Sequence, residues 1–253
     1  MPTLLDPPIT RPRLQTRPRP LPALELPAVS FFGRTLDEYV RFFALDVAAL
    51  RGLSVLDVAA GPSSFTAEAC RRGIDAVAVD PQYSKSGYAL SEQITRDYEA
   101  MFAQIRAKRR LFKLKSFSSL EAAEEDRRTA AQRFVSDFET HAVHGRYVAA
   151  ALPRLPFFDG TFDLVLCAHL LFIYAQQFDF EWHLAACREL ARVSAGEVRI
   201  HPIVGADGRL YPELERLRRE LLARGVTSRV QRTDYEFFAG STSTLILNPQ
   251  QDT

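Results

Sequence analysis

The chain has 253 residues, 47% of them hydrophobic, which is enough to bury one substantial core and suits a single α/β domain with an insertion better than two independent domains. A formal charge of +1 gives no field that calls for nucleic acid or an anionic membrane, and no apolar run approaches the length that spans a bilayer. Three widely spaced cysteines, Cys70, Cys167 and Cys187, form neither a redox pair nor a zinc pattern, so a reduced cytoplasmic setting is expected.

The N-terminus carries Arg11, Arg13, Arg17 and Arg19 among prolines and lacks a periodic apolar face or a signal-peptide pattern. Residues 1–28 are predicted to form a disordered tail, or a polyproline docking arm, ahead of a domain over 29–253. Residues 36–45 have helical spacing, with Thr35 as N-cap and an acidic first turn, and should lie against the first strand. That strand, Ser54-Val55-Leu56-Asp57-Val58, is apolar enough to be covered on both faces, and it breaks at Ala59-Ala60-Gly61-Pro62-Ser63-Ser64 into a helix that Gly73 stops. Such a turn cradles a nucleotide.

A second strand over 76–79 ends in Asp80, about twenty residues past the turn, where a doubly wound fold places an acceptor for ribose hydroxyls. Pro81, Gln82 and Tyr83 follow it as candidate walls for an adenine. The stretch 83–145 is too long for a simple crossover and reads as a helical insertion, with helices near 91–110 and 120–144 and with Phe134, Phe138 and His141 on one face of the second. Further strands are predicted over 146–152, 162–167, 197–203, 229–235 and 242–247, with helices over 182–193 and 212–224, the latter with Pro212 in its first turn. The last two strands form a hairpin-like pair.

The Asp57-to-Asp80 segment resembles the first two motifs of the class I S-adenosylmethionine-dependent methyltransferases, small-molecule type. Leu155-Pro156-Phe157-Phe158-Asp159-Gly160-Thr161-Phe162-Asp163-Leu164-Val165-Leu166-Cys167-Ala168-His169 is similar to that family's turn and fourth strand. The resemblance spans about residues 31–248. It implies a doubly wound, Rossmann-like α/β fold with a seven-stranded sheet and an antiparallel last strand, here carrying the insertion after the second strand. It also implies S-adenosyl-L-methionine as cofactor, held by Asp57, Ala59, Ala60, Gly61, Pro62, Ser63, Asp80, Pro81, Gln82, Ala151, Leu152 and Cys167, with Asp57 organising the turn and reaching the ammonium through water. Two departures stand out. The family's three turn glycines correspond to Ala59, Gly61 and Ser63, of which only Gly61 adopts positive φ freely, and Pro62 offers no N–H. The carboxylate that family members place before the Leu-Pro-Phe block is replaced by Val148-Ala149-Ala150-Ala151-Leu152.

His169 follows the fourth strand and is a candidate general base, with Tyr174 a second candidate; each also suits a cap or a carbonyl partner. Cys167 reads better as a small buried side chain than as a nucleophile. His141 and His144 have the spacing of a metal pair but no further ligand motif, so no metal is expected. Arg106, Lys108, Arg109, Arg110, Lys113 and Lys115 make a concentrated basic stretch, either a solvated helix end or a site for an anionic substrate. No Asn/Asp-Pro-Pro-Tyr/Phe or Pro-Cys motif follows the fourth strand, which favours a small or medium organic acceptor over nucleic acid. Two other readings stay open: a non-catalytic nucleotide-binding module whose insertion binds partners, and a nicotinamide oxidoreductase. The insertion leaves the sheet at the edge where α/β folds bind ligands, and is expected to close over the donor and build the acceptor pocket. The sequence gives no oligomeric state.

Overall fold

A computed structural model describes residues 23–249. At its centre β1 (Ser54–Val58) runs parallel between β2 (Asp75–Val79) and β4 (Phe162–Ala168), with Val55, Leu56 and Val58 fully covered, as a strand flanked on both faces requires. β3 (Tyr147–Val148) pairs parallel with β2 at one edge, and β5 (Ser194–His201) pairs parallel with β4. β7 (Ser243–Pro249) runs antiparallel between β5 and β6 (Val226–Arg232), which gives the order 3-2-1-4-5-7-6. This is the doubly wound seven-stranded sheet with a reversed last strand that the resemblance implies.

Thr35 and Glu38 close a reciprocal capping box at the start of α1 (Leu36–Phe43), and Ala44 ends the helix in the left-handed region. α1 packs on α2 (Phe65–Cys70), β5 and β7, and it reaches β1 through Tyr39, so its place is shifted from the expected seat against the first strand. Arg199 of β5 reaches the Phe43 carbonyl and Thr244 of β7 that of Phe42. Alternate residues such as Val198 and Ile200 therefore face the opposite layer, formed by α5 (Phe180–Arg192) and α6 (Leu214–Leu222).

The excursion after β2 contains α3 (Gly87–Ala107) and α4 (Leu120–His141), N-capped by Ser86 and Ser119 and packed on each other. Tyr83, Phe134, Phe138 and Tyr147 form one aromatic cluster that fastens α4 to the β3 edge. His141 is only half-buried and bonds its own helix at Asp137. No helix among the described residues is long and apolar enough to cross a membrane.

Several boundaries depart from the sequence expectation for identifiable reasons. The strand expected over 146–152 is only Tyr147–Val148, because the chain leaves the ladder before Pro153, which has no N–H to donate, and Ala151 turns back on Arg154. Pro212 lies in a separate turn closed by Leu214 on Tyr211, so α6 begins later than 212. β6 starts directly after Gly225, at φ +77, and stops short of Tyr235, whose hydroxyl turns inward to Glu38. The tail boundary also moves. Leu24 donates to the Ala206 carbonyl, Glu25 exchanges bonds with Gln104 and pairs with Lys108, and Leu26 is buried with its carbonyl bonded to Gln177. Residues 24–26 are thus docked, with Pro27 and Ala28 exposed, and residues 1–22 of the expected tail lie outside the described residues.

From there residues 29–34 form a strap across the carboxyl edge of the sheet. Phe31 packs on Phe134 and Tyr83, and Phe32 on Tyr98 and Phe102. Gly33 lies so close to the Pro62–Ser63 peptide that any Cβ would collide with backbone, and its N–H is held by the Tyr98 hydroxyl at 3.1 Å.

Candidate functional site

The carboxyl ends of β1, β2 and β4 open into a pocket of about 220 Å³, somewhat smaller than most small-molecule sites. Its floor carries Val58, Ala59 and Asp80; Pro81, Gln82, Ala150, Ala151, Leu152 and Leu170 form walls; Phe178 and Trp182, stacked at 3.8 Å, stand at its rim. Val29, Ser30 and Phe31 of the strap roof it.

Asp80 ends β2 as expected and is nearly buried. One oxygen accepts from the Gly61 N–H at 3.1 Å and the other from the Gln82 N–H at 2.9 Å, so it also caps the short turn that follows. Burial pushes its pKa up to about 6, against the pull of those two amides. Each oxygen retains a lone pair for a further donor.

Two residues of the turn take positive φ, Gly61 at +55°, which adopts it freely as expected, and Ala59 at +56°, which does not. An alanine there carries about 1–2 kcal/mol of strain, tolerated because it aims the chain around the pocket floor. The turn's amides are largely used within the protein. Ala60 donates to Val79, Gly61 to Asp80, Ser63 to Ala60 and Ser64 to Arg34.

Ala60, Gly61, Pro62 and Ser63 therefore sit behind the pocket floor rather than in its lining, with the Gly61 face covered by Phe31 and Phe32. Asp57 is fully buried behind them. Its Oδ1 accepts from Tyr39 at 3.1 Å, its Oδ2 has no partner, and burial holds its carboxyl well above the usual range. It anchors Tyr39 instead of bonding the turn amides or presenting a charge. Cys167, expected at the cofactor, is buried beside Asp57 with its thiol pushed well up, because small β4 side chains point into the core there. Tyr83 belongs to the aromatic cluster and donates to the Gly61 carbonyl at 2.6 Å, so it is no wall for an adenine.

His169 and Tyr174 line a second cavity, of about 70 Å³, on the other side of Ser30, which borders both. Tyr174 accepts the Ser30 N–H at 2.9 Å. His169 sits at φ +54, with Nδ1 buried and unpartnered. Burial, with Arg34 and His201 nearby, drives its pKa well below 6.5, so it is a neutral imidazole and a weaker base than expected. Of the insertion, Met101, Ile105 and Phe112 reach this cavity, while the lining of the first contains no residue of 83–145. The cover over the first pocket is the strap, not the insertion, because the strap occupies the space above the turn. The basic stretch is mostly engaged at the surface, with Arg106 paired to Glu124, Lys108 to Glu25 and Lys115 to Glu236.

Sequence reading missed Ser30, Phe31, Arg34, Leu170, Phe178 and Trp182. Residues 29–34 have no periodicity to mark them, and Gly33 between Phe32 and Arg34 was the one available sign of a close backbone approach.

No protein-family model matches the chain. Among solved structures it is similar to magnesium protoporphyrin IX methyltransferase from Synechocystis PCC 6803 with bound SAH, at 14% identity and TM-score 0.46, over 85% of this chain and 81% of that one. It is also similar to a TehB-like SAM-dependent methyltransferase from Corynebacterium glutamicum, at 13% identity and TM-score 0.46, over 83% and 86%. A curated relative, uncharacterized protein MJ0045 of Methanocaldococcus jannaschii, is 30% identical over 225 residues, 88% of this chain and 98% of that protein. The sheet order with its reversed strand is that of the class I methyltransferase fold, and by its likeness to the archaeal relative the chain belongs to the family of MJ0045.

Proposed function

We propose that the protein transfers a methyl group from S-adenosylmethionine to a small organic acceptor. The observation that carries this is the first pocket: an apolar slot at the carboxyl edge, where the strands diverge, with one buried carboxylate at the end of β2. The residues present fit the nucleoside half of the donor. Asp80 has lone pairs for ribose hydroxyls, and Pro81, Gln82, Leu152 and Leu170 offer apolar walls with one polar end. Adenine recognition falls to backbone groups and to these walls, since no other carboxylate lines the pocket.

When bound, the sulfonium supplies a methyl group already activated for transfer. The protein's part is alignment and exclusion of water. Ser30, shared by the two cavities, marks their boundary, so the strap sets the separation of donor and acceptor. His169, neutral and facing the second cavity, is placed to accept or donate a hydrogen bond at the acceptor.

Calorimetry with S-adenosylmethionine, S-adenosylhomocysteine and NADH on one sample tests the reading. Binding of the first two and not the third is expected; binding of NADH alone would replace methyl transfer by hydride transfer. A second reading, a module that binds the nucleotide without turnover, is favoured by the self-bonded turn amides. Turnover of S-adenosylmethionine against a metabolite panel separates the two.

A further inference from the structure

We propose that the second cavity binds its acceptor as a monoanionic carboxylate on an apolar body, with Arg34 as the charge partner. This rests on the methyl-transfer reading for the word acceptor; the anion site itself rests on the cavity.

The argument starts from charge. Arg34 and Arg127 both approach the Phe32 ring, at 5.0 and 5.7 Å, and a single carboxylate, Glu38, is buried with them. Glu38 is committed to Arg127, at 2.6 Å, and also accepts from the Tyr235 hydroxyl. Arg34 forms no ion pair among the described residues. Its Nη1 donates to the carbonyls of Phe32 and Gly33, and its buried Nε has no partner. Nε and Nη1 of Arg127 are unpartnered as well.

Nearby acids do not correct the imbalance. Asp57 makes no ion pair and burial holds its carboxyl well above the usual range, and half-buried Asp126 pairs with neither arginine among the described residues. The wall of this cavity thus carries one half-buried guanidinium with no acidic partner among the described residues, a costly state that a bound anion relieves. Arg34, half-buried, lines the cavity and presents the planar fork that suits a carboxylate. An excess of a single charge selects a monoanion over a phosphate monoester.

The rest of the cavity suits an apolar body. Phe32, Met101, Ile173, Phe237 and Phe238 line it, and His169, neutral with its Nδ1 unpartnered, adds one polar contact. In the exposed basic stretch, the other place for an anionic substrate, three of the six residues, Arg106, Lys108 and Lys115, are tied into surface ion pairs.

The test is calorimetry on the full chain, with and without S-adenosylhomocysteine, using acetate, propionate and butyrate, short enough for a cavity of about 70 Å³, against their neutral amides. At least one carboxylate is expected to bind about tenfold more tightly than its amide. Arg34→Gln should lose that preference and Arg34→Lys should keep part of it, while both bind S-adenosylhomocysteine as the wild type does. Met101→Trp, which narrows the cavity and leaves both arginines in place, should abolish carboxylate binding even if Arg34→Gln does not fold. No carboxylate binding up to about 10 mM, equal affinity for acid and amide, or an undiminished preference in Arg34→Gln would each overturn the proposal. Failure of S-adenosylhomocysteine to bind, with carboxylate preference intact, would instead sink methyl transfer and leave the anion site standing.

Discussion

Asp80 serves two masters, its own turn and the proposed donor, and its elevated pKa makes that testable. A carboxyl whose folded value lies above its unfolded one of about 4 favours the fold at acid pH, and that contribution is lost as pH rises through about 6. Donor binding has the opposite sign, because ribose hydroxyls need the ionised acceptor. S-adenosylhomocysteine affinity is expected to fall as pH drops below about 6, and calorimetry flat from pH 5 to 8 would exclude Asp80 from the site. Asp80→Asn should weaken binding about tenfold in a protein that still folds, from the loss of one charge-assisted hydrogen bond. Glu38 and Arg127 give a second residue-scale prediction. Replacing either partner of a buried pair costs about 3–5 kcal/mol, and Glu38→Gln should cost more than Arg127→Met, since it leaves buried Arg127 and half-buried Arg34 without a counter-charge. Urea denaturation of the two variants decides; equal midpoints would mean that Arg34 does not share the Glu38 field.

At the scale of elements, the segment 23–34 is the part of the molecule that periodicity could not announce. Its contacts come from isolated side chains and backbone groups reaching distant partners: Leu24 to Ala206, Glu25 to Gln104, Phe32 to Tyr98. A chain starting at Val29 should therefore melt about 5 °C below one starting at Ala23, for roughly 2 kcal/mol of lost burial and hydrogen bonds. Identical melting temperatures would return residues 23–28 to the tail. The strap also takes over the covering role that the insertion was expected to play. Amides of Val29, Ser30 and Phe31 should gain hydrogen-exchange protection with S-adenosylhomocysteine, while those of α4 exchange as before; protection gained along α4 with none in the strap would restore the insertion as the lid. By contrast, α1 was readable because Thr35 announces its start, and α4 because Phe134 and Phe138 mark one face, whereas α3 begins at Gly87 behind its Ser86 cap, ahead of the start expected near 91.

At the scale of the whole molecule, the sheet was readable because β1, β2 and β4 are short apolar runs ending at Ala59, Asp80 and His169, each followed by a break. The floor of the first pocket followed from those ends. What did not follow was depth. Alternation places Asp57, Cys167 and Tyr83 near the edge in sequence, yet their side chains turn away into the core, and only the packed structure separates facing residues from buried ones.

The strap is both roof of one cavity and wall of the next, through Ser30, and this has a consequence for the order of events. Since Ser30 lines both cavities and Phe32 and Arg34 line the second, a strap that lifted to admit the donor would withdraw all three from the second cavity. Under the proposed reading, an acceptor that binds first holds the strap closed over an empty donor pocket, so a productive complex forms only when the donor has entered before it. Kinetics should then be compulsory-order, with the methyl donor binding first and S-adenosylhomocysteine leaving last, so that the latter inhibits competitively against the donor and non-competitively against the acceptor.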